Sequence, residues 1–396
     1  MKKQLLHTPE GVRDIYNEEC EKKLLLQSDL LGILKGYGYH PIQTPTFEFF
    51  DIFGKEIGTT PSKELYKFFD REGNTLVLRP DMTPSIARAA AKYFMDEDMP
   101  IRLCYMGNTF INNSSYQGRL KESTQLGAEL IGDSTVDADA EILSMTVECL
   151  QKAGLKEFQL SVGHADFFQG LVEAAGISEE DEEELRELLA NKNFFGVEEF
   201  AETLNLKAEL NELFHMLGSL NVDLNDLKRA KELAASYPRI LAAIHNLEEL
   251  HKVLEVYGIQ KYISFELGII SSYQYYTGII FSGYTFGSGE PIVKGGRYDK
   301  LLTYYGKTSA SIGFAIVIDQ LMAALSRQKI NISIETNGEL IVYTKANQAK
   351  AILNAKEKRA AGTPVETILK DDTKTNEDYQ NYAKRNRIRT VTFMED

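Results

Sequence analysis

The chain is poor in the residues that would mark it for export, metal capture or a membrane. Only three cysteines occur in 396 residues, Cys20, Cys104 and Cys149. They lie far apart and match neither a zinc spacing nor a disulfide framework, so reduced thiols in a cytoplasmic protein are expected, with no metal and no cofactor. No apolar run approaches the roughly 18 residues of a membrane helix. The first nine residues, Met1 to Pro9, are basic but lack the apolar core of a secretory signal. Positive charge is also short: 44 Lys and Arg against 58 Asp and Glu give a net charge of −14. Affinity for nucleic acid comes largely from neutralising phosphates, so this balance argues against a nucleic-acid partner. Much of the acid is concentrated in Glu179–Glu187, a run that reads as the solvated face of a helix.

What is present is the pattern of an α+β protein with room for two or three domains. A helix is expected from Asn17 to Lys35, where Leu24, Leu25, Leu30, Leu31 and Leu34 repeat at helical spacing. A hairpin follows, Leu65–Asp70 and Thr75–Leu78 around an Arg71-Glu72-Gly73-Asn74 turn. Pro84 opens a second helix, and Ile101–Phe110 and Glu122–Ile131 read as two strands joined by a polar loop. A helix at Ala138–Ala153 and a strand at Phe158–Gly163 complete this part. Residues 166–258 are rich in Leu, Glu, Lys and Ala and suggest a helical insertion. Strands are expected again at Ser264–Ile270, Ile279–Thr285 and Pro291–Lys294, then a Gly295-Gly296 turn and a last strand at Ser311–Ile318. After a linker near Ile330–Gly338, the alternation β-α-β-α-β over 339–393 indicates a small parallel α/β module. The expected domains are thus 1–330 and 331–396.

Several motifs are more specific. They are Gly36-Tyr37-Gly38-Tyr39 with Thr44-Pro45-Thr46-Phe47-Glu48, Leu78-Arg79-Pro80-Asp81-Met82-Thr83, and Gly118-Arg119 leading to Gln125-Leu126-Gly127-Ala128-Glu129. Further on come Tyr275-Tyr276-Thr277-Gly278, Gly295-Gly296-Arg297-Tyr298-Asp299 and Gly313-Phe314-Ala315. In order and spacing this set resembles histidyl-tRNA synthetase from about residue 7 to residue 325. The resemblance implies the class II synthetase fold, an antiparallel sheet flanked by helices, and a homodimer formed through the segment around Thr44-Pro45. It also implies a histidine pocket. Residues matching Asp81, Thr83 and Gln125 receive the ammonium group in that family, and those matching Glu129 and Tyr276, with Tyr275 beside them, reach the imidazole. The residue types suit the task, because carboxylate and amide oxygens accept from an ammonium or a ring N–H. Asp81 is one carbon shorter than the family's usual Glu.

The departures from that family decide the expected function. Its Phe-Arg-x-Glu is here Phe110-Ile111-Asn112-Asn113, so Ile111 and Asn113 replace a cation and an anion. Its Glu-Arg at the last core helix is Asp319-Gln320, and its Arg before Tyr-Tyr falls at Ser271. Adenylation builds negative charge on phosphorus that fixed cations must meet, and losing one such donor typically costs roughly 10²–10³-fold in rate. The residues after 339 also cover only about the first half of an anticodon-binding domain. The basic cluster Lys384, Arg385, Arg387 and Arg389 reads as a solvated helix end.

A synthetase-like core with its amino-acid contacts kept and its adenylation residues gone resembles the regulatory-subunit family of ATP phosphoribosyltransferase. That resemblance implies a non-catalytic partner for a short catalytic subunit in the first step of histidine biosynthesis, with free histidine as feedback effector. A paralogue with another ligase or an RNA-linked role is the second reading. Histidine-dependent ATP–pyrophosphate exchange separates catalysis from regulation. It should stay at background for this chain, and turnover well above background would contradict the loss of Ile111, Gln320 and Ser271 as catalytic positions.

Overall fold

The computed structural model describes residues 6–54, 60–113, 119–270, 275–334 and 337–395. Two compact units are present, one of Leu26–Asn331 with the residues up to Asp14, the other of Ile332–Asp396 with Ile15–Leu25. The stretch Ile15–Leu25, expected within the first domain, therefore groups with the C-terminal unit. Within that unit Glu21 forms an ion pair with Arg387 at 3.1 Å.

The elements run in chain order from α1 (Asn17–Gly36) through β1 (His40–Pro41), β2 (Phe47–Phe49), β3 (Lys67–Phe69) and β4 (Thr75–Leu78). Next come α2 (Thr83–Tyr93), β5 (Ile101–Phe110), β6 (Glu122–Ile131), α3 (Val136–Lys152) and β7 (Phe158–His164). The insertion is entirely helical apart from short turns: α4 (Ala165–Ala175), α5 (Glu179–Ala190), α6 (Phe194–Thr203), α7 (Ala208–His215), α8 (Leu224–Leu233) and α9 (Pro238–Tyr257). Its acidic helix α5 buries only Leu185 and Leu189, leaving its carboxylates toward solvent. The core then closes with β8 (Ile263–Phe265), β9 (Ile279–Thr285), β10 (Val293–Arg297), β11 (Ser311–Val317) and α10 (Ile318–Arg327).

Eight strands form the main sheet in the order β1-β5-β6-β11-β10-β9-β7-β8. Its inner pairings are antiparallel, while the outermost pairs, β1 with β5 and β7 with β8, are parallel. Because side chains alternate along a strand, the register fixes two faces. Helix α3 packs against β6 and β11. On the opposite face Met82, Ile86, Ala87 and Ala90 of the α2 region pack with Leu103, Tyr105, Ile131 and Tyr298. The short sheet β2-β4-β3 is antiparallel.

Two expected features differ. The strand expected at Ser264–Ile270 ends at Phe265, because Gly268 lies against the Leu217 carbonyl and Ile269 N–H bonds back to the Glu266 carbonyl at 3.2 Å. Gly295 and Gly296 lie inside β10 and make no turn. A Cβ at Gly295 would come within 2.3 Å of the Phe281 ring, and one at Gly296 within 2.7 Å of Tyr276. These glycines serve close packing across the sheet.

In the C-terminal unit β12 (Glu339–Tyr343), α11 (Gln348–Ala360), β13 (Val365–Leu369), α12 (Asn376–Arg385) and β14 (Thr390–Met394) form a parallel sheet in the order β13-β12-β14. Its central strand buries Leu340 and Val342 against Tyr379 and Ala383 of α12, and Ile341 against Ala351 and Ala355 of α11. Burial on both faces is what a central parallel strand requires.

The first turn of α3 and the loop before it are tied to β10 by Arg297, through a buried ion pair and two carbonyls. Arg297 donates to Asp139 Oδ1 at 2.9 and 2.5 Å, to the Asp133 carbonyl at 2.9 Å and to the Thr135 carbonyl at 3.2 Å. Both side chains are almost wholly buried, at 7% and 2% exposure. Removing the cation strands a carboxylate in the interior, so Arg297→Met should cost about 3–5 kcal/mol in denaturant unfolding. A loss below about 1 kcal/mol would show that Asp139 finds another partner.

Candidate functional site

The site grows from the register of four adjacent strands. Tyr105 of β5 pairs with Gly127 of β6, which pairs with Ala315 of β11, which pairs with Lys294 of β10. One row further, Leu103 pairs with Glu129, Glu129 with Gly313, and Gly313 with Gly296. In the other direction Gln125 pairs with Val317. Gln125, Gly127 and Glu129 therefore share one face, with Gly313, Ala315 and Val317 beside them. Small residues here leave space above the sheet. A Cβ at Gly313 would fall 1.7 Å from Glu129 Oε2.

That space is a pocket lined by Asp81, Thr83, Gln125, Glu129, Tyr275, Tyr276, Lys294 and Tyr298, with the glycine-rich strands as floor. Glu129 is 1% exposed, and both its oxygens are engaged: Tyr298 donates to Oε2 at 2.5 Å and Thr83 to Oε1 at 3.0 Å. Burial pushes its carboxyl up to about 8, against the lowering effect of those two hydroxyls. Asp81 sits just before α2 and is 5% exposed. Its Oδ1 accepts the Met82 N–H at 2.8 Å, and burial raises it to about 6. Tyr275 and Tyr276 lie with ring centroids 4.9 Å apart, and Tyr275 meets Tyr298 edge-on at 5.9 Å.

Two acceptors in this pocket are left over. Asp81 Oδ2 and Gln125 Oε1 are buried and accept no hydrogen bond of good geometry among the described residues, although the Tyr275 hydroxyl stands near enough to Asp81 to favour its charged form. A buried acceptor without a donor costs on the order of 1–3 kcal/mol, so paired orphans lining one cavity point to a ligand that donates. An ammonium group, with three donors and no acceptor, has the matching chemistry.

An open cleft of about 900 Å³ adjoins the pocket and shares Gln125, Lys294 and Val317 with it. It is lined by Ile111, Asn113 and Gln320, together with Lys63, Arg119 and Asp319. Arg119 is held by Glu290 at 2.7 Å, and Asp319 Oδ2 accepts the Thr124 N–H at 2.7 Å. Ile111 and Gln320 are uncharged, and the cations that line the cleft are Lys63, Arg119 and Lys294.

The structure thus brings Asp81, Thr83, Gln125, Glu129, Tyr275 and Tyr276 together in one pocket. It places Ile111, Asn113 and Gln320 in the neighbouring cleft. Ser271 lies outside the described residues. Sequence reasoning missed Tyr298, which holds Glu129, and Lys294. Tyr298 stands in a motif already singled out, Gly295 to Asp299, and that motif was its only signal. Among the described residues no cluster of His, Cys, Asp or Glu could hold a metal, and no helix is long and apolar enough to cross a membrane. Cys104 and Cys149 are buried free thiols.

Fold and site together define a class II synthetase-like protein. The histidyl-tRNA synthetase family pattern matches residues 11–321. An ATP phosphoribosyltransferase regulatory subunit from Acetivibrio thermocellus is 38% identical over 367 residues, covering 92% of this chain and 87% of that one. Its namesake from Ruminiclostridium cellulolyticum is 38% identical over 396 residues, covering 100% and 94%. A solved Bacillus halodurans structure, described as an ATP phosphoribosyltransferase regulatory subunit/histidyl-tRNA synthetase, is 31% identical with a TM-score of 0.86 over 98% of both chains. A histidyl-tRNA synthetase from a Nostoc species shares the fold at a TM-score of 0.79 and 19% identity, over 97% of this chain and 90% of that one. The chain belongs to the ATP phosphoribosyltransferase regulatory subunit family.

The raised carboxyls set a pH dependence. Glu129 ordinarily titrates near 4.5 and here near 8, so the folded state holds a proton that the unfolded chain has lost across that window. Stability contributed by the protonated form is therefore lost as pH rises through about 8. Buried His164, lowered to about 4 by burial, works in the opposite sense between about 4 and 6.5. Referencing to Glu129→Gln isolates the carboxyl. Relative to that variant, the wild type should lose stability between pH 5 and 8, with a slope approaching about 1.4 kcal/mol per unit. Parallel stability–pH curves for the two proteins would show that Glu129 is ionised throughout.

Proposed function

We propose that this chain is the non-catalytic regulatory subunit of an ATP phosphoribosyltransferase. It acts with a short catalytic subunit at the first step of histidine biosynthesis, and free histidine in the Asp81–Gln125 pocket is its feedback effector. The observation that carries this reading is the contrast between two adjoining cavities. One offers buried, unpartnered acceptors suited to an amino-acid ammonium. The other presents Ile111 and Gln320 where transfer of a nucleotide phosphate would need positive charge. The relatives named as regulatory subunits support the same role. In the pocket Asp81, Thr83 and Gln125 take the ammonium end, and Glu129 and Tyr276 take the ring. Glu129 accepts a ring N–H most strongly as a carboxylate, so histidine binding near neutral pH should favour release of its proton. A pocket of this kind couples end-product level to flux, because an effector that prefers one state of the assembly shifts the balance of states by its differential affinity.

A homodimer formed through the Thr44–Glu48 region fits the surface there. Phe47, Phe49 and Phe69 are exposed by 52%, 55% and 72%, an apolar face more usual at an interface than on a monomer. Equilibrium sedimentation at micromolar concentration should give a dimer, and a pure monomer would count against this surface.

Mixed with the short catalytic subunit from the same organism, the chain should switch on phosphoribosyl transfer and make it histidine-inhibitable. Coupling of about 1–3 kcal/mol per site would give roughly 5- to 150-fold effects. Glu129→Ala and Tyr276→Phe should weaken inhibition more than activation. A short enzyme indifferent to this chain would refute the assignment.

A further inference from the structure

The sequence motifs leave the carboxylate end of the ligand without a cation. The structure supplies one. Lys294 lies in β10, paired with Ala315 of β11 and Ser282 of β9, on the face that carries Gln125 and Glu129. It lines both the pocket and the cleft, so it stands where the two meet. Its side chain is exposed, and among the described residues it has neither a hydrogen bond nor an ion pair. Of the other cations lining the cleft, Arg119 is already held by Glu290 at 2.7 Å. Lys63, Glu64, Glu290 and Asp319 line the cleft only, which leaves Lys294 as the one cation lining the pocket among the described residues.

Geometry then fixes the polarity of the ligand. The unpartnered oxygens, Asp81 Oδ2 and Gln125 Oε1, call for a donor at one point of the pocket. In an α-amino acid the carboxylate carbon is two bonds from the ammonium nitrogen, so a group that holds the carboxylate must lie beside those acceptors. Lys294 does, since it lines the pocket with them and its charge acts on Asp81. We propose that Lys294 is the carboxylate-binding residue of this pocket, pairing with the α-carboxylate of the amino acid whose ammonium Asp81 and Gln125 hold. This rests on the amino-acid reading of the pocket given above and adds a specificity that reading lacks. The positive charge also acts on Asp81, opposing the rise that burial imposes. A lysine suits the position: a compact point charge on a flexible stem can follow the ligand from the open side. The pocket then selects the zwitterion and rejects amines that lack the carboxylate.

The test is calorimetric titration of the full chain with L-histidine and with histidinol, whose carboxylate is replaced by an alcohol. Wild type, Lys294→Met and Lys294→Arg are compared. Lys294→Met should bind L-histidine roughly 10- to 100-fold more weakly than wild type, the scale of one charge-assisted hydrogen bond. It should bind histidinol as wild type does, and Lys294→Arg should recover most of the lost histidine affinity. Unchanged histidine affinity in Lys294→Met, or equal losses for both ligands, would overturn the assignment while leaving the pocket reading intact. Wild type binding neither ligand would overturn the pocket reading itself, and Lys294's role with it.

Discussion

The buried carboxylate of Glu129 occupies space that exists only because its cross-strand neighbour has no side chain. A Cβ at Gly313 would lie 1.7 Å from Glu129 Oε2, and Gly127 and Gly296 clear the adjacent positions under Tyr105 and Tyr276. Once that volume is open, Tyr298 and Thr83 can fix the carboxylate from either side. Tyr298 in turn belongs to the β10 motif that Arg297 anchors to the start of α3. The pocket is thus a consequence of where glycine falls in three paired strands, and the interior ion pair keeps those strands in place. A close-packed interior transmits such constraints, because no neighbour can move to fill or vacate the space without strain.

Function follows from the electrostatic difference between pocket and cleft. The pocket concentrates buried polar groups whose partners are only partly supplied by the protein, which is the feature the proposed binding site rests on. The cleft beside it is open but has Ile111 and Gln320 on its wall. On the proposed reading the pocket holds an amino acid beside a cleft in which Ile111 and Gln320 replace the cations of a phosphoryl-transfer site, so recognition is kept without that chemistry. That combination suits a sensor, whose output is a change in affinity or state.

Much of this was legible in the sequence because the signals are local. The strands Ile101–Phe110 and Glu122–Ile131 coincide with β5 and β6, since each is a long apolar-rich run bounded by polar loops. The helical insertion and the alternating C-terminal unit were readable from composition and period for the same reason. The pocket members Asp81 and Gln125 entered through family motifs, and nothing in their spacing alone joins residues 44 positions apart. Gly295-Gly296 misled as a turn because glycine also serves close packing within strands, and only the cross-strand register tells the two uses apart. Lys294 carried no signal at all. Its meaning comes from standing opposite Ala315 at the meeting of two cavities.

On the proposed reading, Asp81 Oδ2 and Gln125 Oε1 hold an amino-acid ammonium. A crystal structure of the chain at saturating L-histidine tests it most directly. The ligand nitrogen is expected within hydrogen-bond distance, about 2.7–3.2 Å, of both Asp81 Oδ2 and Gln125 Oε1, with the imidazole toward Glu129. An empty pocket, or histidine bound elsewhere with those oxygens still unpaired, would contradict it.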